Sequence, residues 1–251
     1  MLLPALGIDI AKLKFNVCLL NALGKLKHKV FPNTTAGFQQ LDTWLTKHDA
    51  PSAHACMEAT GAYGEALALH LYEAGHQVSV INPAAIKAFA ASRLSRTKTD
   101  RVDAELIARF CLAQQPPAWT PPAPEVRELQ ALVRRSEALT EMRVAEANRL
   151  EAIIAVEAVR SSVEEHIAYL DRQIEQTKAA IRQHINSHPG LRRQRELLDS
   201  IPGIALTTAA TLLAEITDIT QYRSARQVAA YAGLVPRERH SGSSVRGRRA
   251  G

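Results

Sequence analysis

From Glu125 to His188 the chain contains neither glycine nor proline and is rich in Ala, Glu, Arg, Leu and Ile, so this stretch reads as long helix. Immediately before it, Gln114 to Pro124 carries five prolines in eleven residues, the composition of a stiff extended linker. These two neighbouring stretches divide the chain into residues 1–115, a linker 116–124, a helical hairpin or coiled coil 125–188, and a C-terminal part 189–251. Within the helical run Ser161 and Ser162 precede Glu164 and Glu165 in capping-box register, which predicts a break near Val159 to Ser162. Val163, Ile167, Leu170, Ile174, Thr177 and Ile181 then recur at alternating four- and three-residue steps, a seam suited to self-association. The first half, through Val126, Leu129, Leu132, Leu139, Leu150 and Ile153, is less regular.

Upstream of the linker the pattern changes to short apolar runs. Leu2 to Ile10 reads as a buried strand delivering Asp9, followed by strands over Phe15 to Leu20 and Lys27 to Phe31 with short links, an antiparallel meander. A helix from Thr34 or Thr35 carries Phe38, Leu41, Trp44 and Leu45 and ends near Asp49-Ala50-Pro51. His54 to Glu58 is a fourth strand, a helix through Leu67, Leu71 and Ala74 follows, His76 to Ile81 is a fifth strand, and a helix through Ile86 and Phe89 comes next. Three antiparallel strands followed by helix-linked strands make a mixed five-stranded sheet covered by helices, the α/β strand order of ribonuclease H-like nucleases. Actin-like sugar kinases begin similarly, but Asp9 is followed by Ile10-Ala11-Lys12-Leu13-Lys14 and not by a glycine- and hydroxyl-rich phosphate turn.

The helix beginning near Asp100 concentrates the chemistry. Thr99 is placed to cap it, and Asp100 and Asp103, three residues apart, share one face. Val102, Leu106, Ile107 and Phe110 form the opposite, apolar side, while Arg93, Arg96, Lys98 and Arg101 surround the acids with positive charge. The predicted topology brings Asp9 and Glu58, each at a strand end, to the same sheet edge as Asp100 and Asp103. Oxygen-only ligands of this kind suit Mg²⁺ or Mn²⁺ and not zinc, and four carboxylates can hold two ions about 4 Å apart. Each acid taken singly also reads as a solvated or capping carboxylate. The three cysteines, Cys18, Cys56 and Cys111, lie in apolar segments without metal-ligand spacing and read as reduced core residues of a cytoplasmic protein.

Pro189-Gly190 ends the helical run, and Leu197 to Ile204 joins two short helical patterns through Ile201-Pro202-Gly203-Ile204. That turn resembles the hairpin of helix-hairpin-helix DNA-binding modules, and equally reads as an ordinary helix-helix turn. A helix with Ala209, Leu212, Leu213 and Ile216 and another over Ser224 to Tyr231 complete a small α-helical domain. The net charge of +6 is concentrated in residues 222–251, where Arg223, Arg226, Arg237, Arg239, Arg246, Arg248 and Arg249 face the single acid Glu238. Such clustering predicts a polyanion partner, with Arg96, Lys98, Arg101, Arg237, Arg239, Arg246 and Arg248 as candidate nucleic-acid contacts. No apolar run approaches the roughly 18 residues of a membrane span, and no amphipathic apolar face accompanies the last residues, so no membrane partner is expected.

Gly7-Ile8-Asp9, Met57-Glu58-Ala59-Thr60-Gly61 and Lys98-Thr99-Asp100-Arg101-Val102-Asp103-Ala104 together resemble the Asp-Glu-Asp-Asp transposases of insertion sequences, the family of the pilin-gene invertase and the bridge-RNA-guided recombinases. Ile201-Pro202-Gly203-Ile204, Ala230-Tyr231-Ala232-Gly233-Leu234-Val235-Pro236 and Ser241-Gly242 are similar to that family's C-terminal domain, so the resemblance covers most of the chain. It implies a RuvC-like catalytic domain, with Asp9, Glu58, Asp100 and Asp103 as catalytic Mg²⁺ or Mn²⁺ ligands. It also implies a coiled-coil assembly segment giving a dimer or tetramer, a structured guide RNA, and a serine that attacks DNA. By motif that serine is Ser241, with Ser243 and Ser244 as close competitors. Family members continue past the Ser-Gly motif with a further helical segment around the serine, whereas this sequence stops ten residues after Ser241, so the resemblance implies a C-terminally truncated member. Two rival expectations stand beside it. One is a Holliday-junction-type endonuclease in which water attacks, and the other is a non-catalytic nucleic-acid-binding remnant of a transposase.

Overall fold

The computed structural model describes residues 3–21, 23–59, 61–92, 99–152, 156–216, 219, 222–234, 237–241 and 245–249, with backbone alone for Ala62 and for the last two segments. The chain forms two compact units, Met1–Pro121 and Pro122–Gly251.

In the first unit β1 (Ala5–Ile10), β2 (Lys14–Leu20) and β3 (Leu26–Pro32) form the antiparallel meander, with Asp9 opposite Asn16 and Ile10 opposite Phe15. β4 (His54–Glu58) pairs parallel to β1, and β5 (Gln77–Ile81) parallel to β4, so the mixed sheet has the order β3-β2-β1-β4-β5. α1 (Thr35–Lys47) starts where the Thr34 side chain accepts a hydrogen bond from the Gly37 amide, and it buries Phe38, Leu41, Trp44 and Leu45. α2 (Glu65–Glu73) joins β4 to β5, and α3 (Pro83–Ser92) and α4 (Asp100–Gln114) follow.

Strand periodicity sorts the side chains onto two unlike faces. Leu6, Ile8, Phe15, Val17, Phe31, Met57 and Val78 point to one side, where they pack with the apolar faces of α1 and α2. Ala5, Cys18, Leu20, Cys56 and Ile81 point to the other, against Ala104, Ile107, Ala108, Phe110 and Cys111 of α4. The second face is built mostly from small residues, which lets α4 lie close to the sheet.

The proline-rich stretch is not wholly free of the sheet. The Ser79 hydroxyl contacts the carbonyls of Pro116 (3.2 Å) and Pro117 (2.8 Å), the Trp119 amide donates to the Val78 carbonyl (2.7 Å), and the Trp119 ring packs on the large-residue core.

In the second unit α5 (Pro124–Ala152) and α6 (Glu157–Ser187) pair antiparallel. Cross-helix partners Arg143–Asp171 and Glu146–His166 lie nearly symmetrically about Val156, the residue that precedes the first turn of α6. The capping-box serines therefore do not begin the second helix: Ser161 and Ser162 lie exposed inside α6, because the pairing of two long apolar stripes outweighs one local cap. Leu170 and Ile174 of the predicted seam pack on Leu139 of the same chain, and Ile181 on Val133 and Leu129, so α5 covers this stripe. α7 (Pro189–Asp199) and α8 (Leu206–Glu215) close the foot of the hairpin around Leu191, Ala210, Leu213 and Ala214. Gly203 has φ +91° in the turn between them, a backbone conformation that favours glycine. After α9 (Ala225–Tyr231), the basic tail departs from the all-helical expectation: β6 (Arg237–Ser241) and β7 (Val245–Arg249) form an antiparallel ribbon. A segment of arginines broken by Gly247 offers no apolar stripe for a helix to bury, and pairing as strands satisfies its backbone instead. Among the described residues no helix is long and apolar enough to cross a membrane.

Candidate active site

The position of the acids follows from strand parity. Ala5, Gly7 and Asp9 lie on the small-residue face of β1, and His54, Cys56 and Glu58 on the same face of β4. Parallel pairing matches Gly7 with Cys56 and Ile8 with Met57, so Asp9 and Glu58 come next at the carboxyl ends of adjacent strands. Gly7 then decides how near α4 can come. A Cβ there would sit 2.1 Å from the Ala104 carbonyl oxygen and 2.2 Å from the Ala108 nitrogen, so no residue with a side chain fits without moving the helix. This close crossing directs the first turn of α4, with Asp100 and Asp103, toward the edge where β1 and β4 end.

Thr99 starts that turn as expected. Its hydroxyl accepts from the Val102 amide at 3.3 Å, and its carbonyl accepts from the Asp103 amide at 2.8 Å. The Asp9 carboxyl is half-buried and its pKa is pushed up to about 6, first by burial and then by the negative charges of Asp100, Asp103 and Glu58, with Lys14 opposing. Asp100, Asp103 and Glu58 therefore all act on Asp9 across a single edge. Asp100 is exposed and held below the usual carboxylate range by Lys14, whose Nζ lies 3.0 Å from Oδ2; the Asn16 amide adds a longer contact at 3.4 Å.

Lys14 and Asn16 were not singled out by sequence reasoning. Strand parity would have found them, since both share the small-residue face of β2 with Cys18, and Asn16 is the register partner of Asp9. Asn33 also braces the site, donating to the carbonyls of Ala11 (3.2 Å) and Tyr63 (3.0 Å) and so tying the β1–β2 turn to the 3-10 turn Ala62–Gly64.

Of the basic collar, Arg93, Arg96 and Lys98 lie outside the described residues. Arg101 is exposed on α4 and acts electrostatically on His28 and Cys18, toward the β2–β3 side of the sheet. In the second unit Arg237, Arg239 and Ser241 alternate along β6, and Arg246 and Arg248 along β7, with Ser241 opposite Val245. Ser243 and Ser244 lie outside the described residues.

The donor set tests whether an ion fits. Asp100, Asp103 and Glu58 each add to the upward shift that burial begins at Asp9, and Lys14, in direct contact with Asp100, opposes it. Hard oxygen donors with excess negative charge match a divalent cation of the Mg²⁺ or Mn²⁺ type.

Comparison with known proteins agrees with this arrangement. A family model described as "Transposase" matches residues 6–156, and one described as "Transposase IS116/IS110/IS902 family" matches residues 195–250. The chain belongs to the IS110-type transposase family. It is 37% identical over 242 residues to the pilin gene-inverting protein of Moraxella bovis, covering 96% of this chain and 74% of that protein. It is 28% identical over 269 residues to the transposase for insertion sequence element IS1328 of Yersinia enterocolitica (94% and 75% covered), and 25% over 266 residues to that for IS1111A of Coxiella burnetii (95% and 70%). The first family match spans all four acids of this IS110-type chain, and the second spans Ser241.

Proposed function

We propose that this chain is a recombinase of a mobile insertion sequence that cuts and rejoins DNA strands, with the acidic edge as its divalent-metal centre and Ser241 as nucleophile. The observation that carries the reading is the convergence of Asp9, Glu58, Asp100 and Asp103 on one sheet edge, where burial first and the charges of the other three acids second push the Asp9 pKa up to about 6. The strand order β3-β2-β1-β4-β5 supports a ribonuclease H-like, RuvC-like classification of the first unit.

In this reading the four carboxylates hold Mg²⁺ or Mn²⁺, which when bound supplies Lewis-acid polarisation of a phosphodiester and stabilises the leaving oxygen. Gly7 and the Thr99 cap fix the acids in place before any substrate arrives, so little reorganisation accompanies the reaction. Lys14 stands beside Asp100 and neutralises part of the charge. The ribbon sets Arg237 across from Arg249, with Glu238 as its one acid opposite Arg248, an excess of positive charge that a polyanion relieves. Arg96, Lys98, Arg101, Arg239, Arg246 and Arg248 are nucleic-acid contacts in the same reading.

A structured guide RNA and assembly as a dimer or tetramer belong to the same reading. Met142, Val144, Val159 and Tyr169 stand exposed on the α5–α6 hairpin, apolar surface that assembly would cover.

The test is a nicking assay on supercoiled DNA with the nucleic acid that copurifies with the protein, followed by denaturing electrophoresis. Nicking should require Mg²⁺ or Mn²⁺, fall at least 100-fold in Asp9→Ala and Asp103→Ala, and leave a protein-DNA adduct that Ser241→Ala abolishes. Nicking that survives in both aspartate variants contradicts the metal centre. Metal-dependent nicking without an adduct assigns the attack to water, and binding without nicking assigns the chain to non-catalytic nucleic-acid association.

A further inference from the structure

Deeper along the same sheet face, away from the acidic edge, three ligand-type side chains meet out of reach of solvent. His54 and Cys56 alternate on β4 so that both face α4, and Cys111 comes from the last turn of α4. One donor atom from each, a ring nitrogen and two sulfurs, lie within 4.8 Å of one another, and the residues are 1%, 0% and 0% exposed. Sequence spacing does not reveal them as a set, because one pair sits on a strand and the third residue arrives from a helix more than fifty positions away.

The surroundings fix the chemistry of the imidazole. Ser79, on β5 opposite Cys56, lies 2.8 Å from the Pro117 carbonyl and 3.2 Å from that of Pro116, and these oxygens can only accept. With its single proton given to one of them, its oxygen accepts from His54 in the Nε2–H tautomer, the two atoms 2.8 Å apart. The Gln77 amide, 3.3 Å from the same nitrogen, serves that N–H through its oxygen when the amide is turned over. The ring lone pair is left on Nδ1, which is buried with no hydrogen-bond partner. A buried unpaired acceptor is costly, and a cation relieves that cost. An outer hydrogen bond that fixes the tautomer is the usual support of a ligating histidine.

We infer that His54, Cys56 and Cys111 form a second metal site of thiolate-imidazole type, taking Zn²⁺, that pins β4 to α4 behind the acidic edge. Soft sulfur and imidazole donors select zinc over the hard ions suited to the four carboxylates, so one unit holds two chemically distinct metals. On binding, Cys56 and Cys111 each release a thiol proton to solvent, and the two thiolates cancel the 2+ charge, so the core gains no net charge. The three side chains supply three of the four positions of a tetrahedral shell. The bridged elements are those that carry Glu58 and the pair Asp100 and Asp103, so the zinc stabilises the frame of the active site without touching substrate. The inference does not depend on the proposed recombinase activity.

The test uses Co²⁺ as a spectroscopic stand-in on the full chain, freed of metal. Thiolate ligation gives a sulfur-to-cobalt charge-transfer band, whereas carboxylates at the acidic edge give none. The expected result is a band that saturates at one Co²⁺ per chain, is displaced by Zn²⁺, persists in Cys18→Ala and vanishes in Cys111→Ala and Cys56→Ala. Zn²⁺ should also raise the Tm of the wild-type chain by about 5 °C or more. If either variant fails to fold, X-ray absorption on the wild-type zinc form decides, with two sulfur neighbours at about 2.3 Å expected. A wild-type cobalt spectrum without the band, a band that survives loss of Cys111, or a zinc shell of nitrogen and oxygen only would overturn the site.

Discussion

The two faces of the five-stranded sheet are built to opposite rules. The α1–α2 face is filled with Phe15, Phe31, Phe38, Trp44, Leu41 and Leu67, whose burial removes large apolar areas from water. The α4 face has Ala5, Gly7, Ala104 and Ala108 at its closest crossing, where contact area is small and distance is short. The first face stabilises the unit, and the second sets where the acids stand. A substitution on the first should therefore cost stability and spare the site, whereas one at the crossing should cost both.

The largest effect should come from Gly7→Ala. Its Cβ meets backbone atoms on Ala104 and Ala108 that cannot rotate away, so the helix must shift. A loss of more than about 4 kcal/mol in chemical denaturation is expected, together with loss of Mn²⁺ binding by whatever folded protein remains. Wild-type Mn²⁺ affinity in Gly7→Ala would break the claim that the close crossing positions the acids. Leu41→Ala, fully buried on the other face, should cost about 3 kcal/mol while its folded form binds Mn²⁺ as the wild type does. Thr99→Ala removes one cap bond at the first turn of α4 and should cost about 1 kcal/mol, readable as a small fall in denaturation midpoint.

The smallest effect is the pH response of the metal-free protein. The Asp9 carboxyl has its folded pKa raised to about 6 from an ordinary 3.8, so the folded state binds the extra proton between those values. Asp9 should accordingly contribute a slope in which stability rises as pH falls from about 7 toward 4, by no more than about 1 kcal/mol for a half-exposed group, opposed by His28 and His76, whose pKa values burial lowers. Asp9→Asn should flatten this slope. An unchanged slope in the variant would place the titration elsewhere.

Much of the first unit was legible because strands and caps are local. Alternation at Leu6, Ile8 and Met57 and the hydroxyl of Thr99 point to their roles without any tertiary knowledge, and the convergence of Asp9, Glu58, Asp100 and Asp103 follows once strand parity is added. What sequence did not show depends on partners distant in the chain. The helical break sits before Ser161 because Glu146 pairs with His166 and Arg143 with Asp171, a register that no local cap signal reports. The ribbon of Arg237–Ser241 and Val245–Arg249 carries no apolar alternation to announce a strand. His54, Cys56 and Cys111 escape a spacing search because a fold, not a motif, brings them together.

The central claim is that Asp9, Glu58, Asp100 and Asp103 act as one divalent-metal centre, and Mn²⁺ binding followed by electron paramagnetic resonance tests it most directly. The account predicts saturable Mn²⁺ binding in the wild type that Mg²⁺ displaces and that weakens at least tenfold in Asp9→Asn, Glu58→Gln and Asp103→Asn alike, with circular dichroism unchanged. Equal Mn²⁺ affinity in the wild type and in folded Asp9→Asn and Asp103→Asn would contradict it.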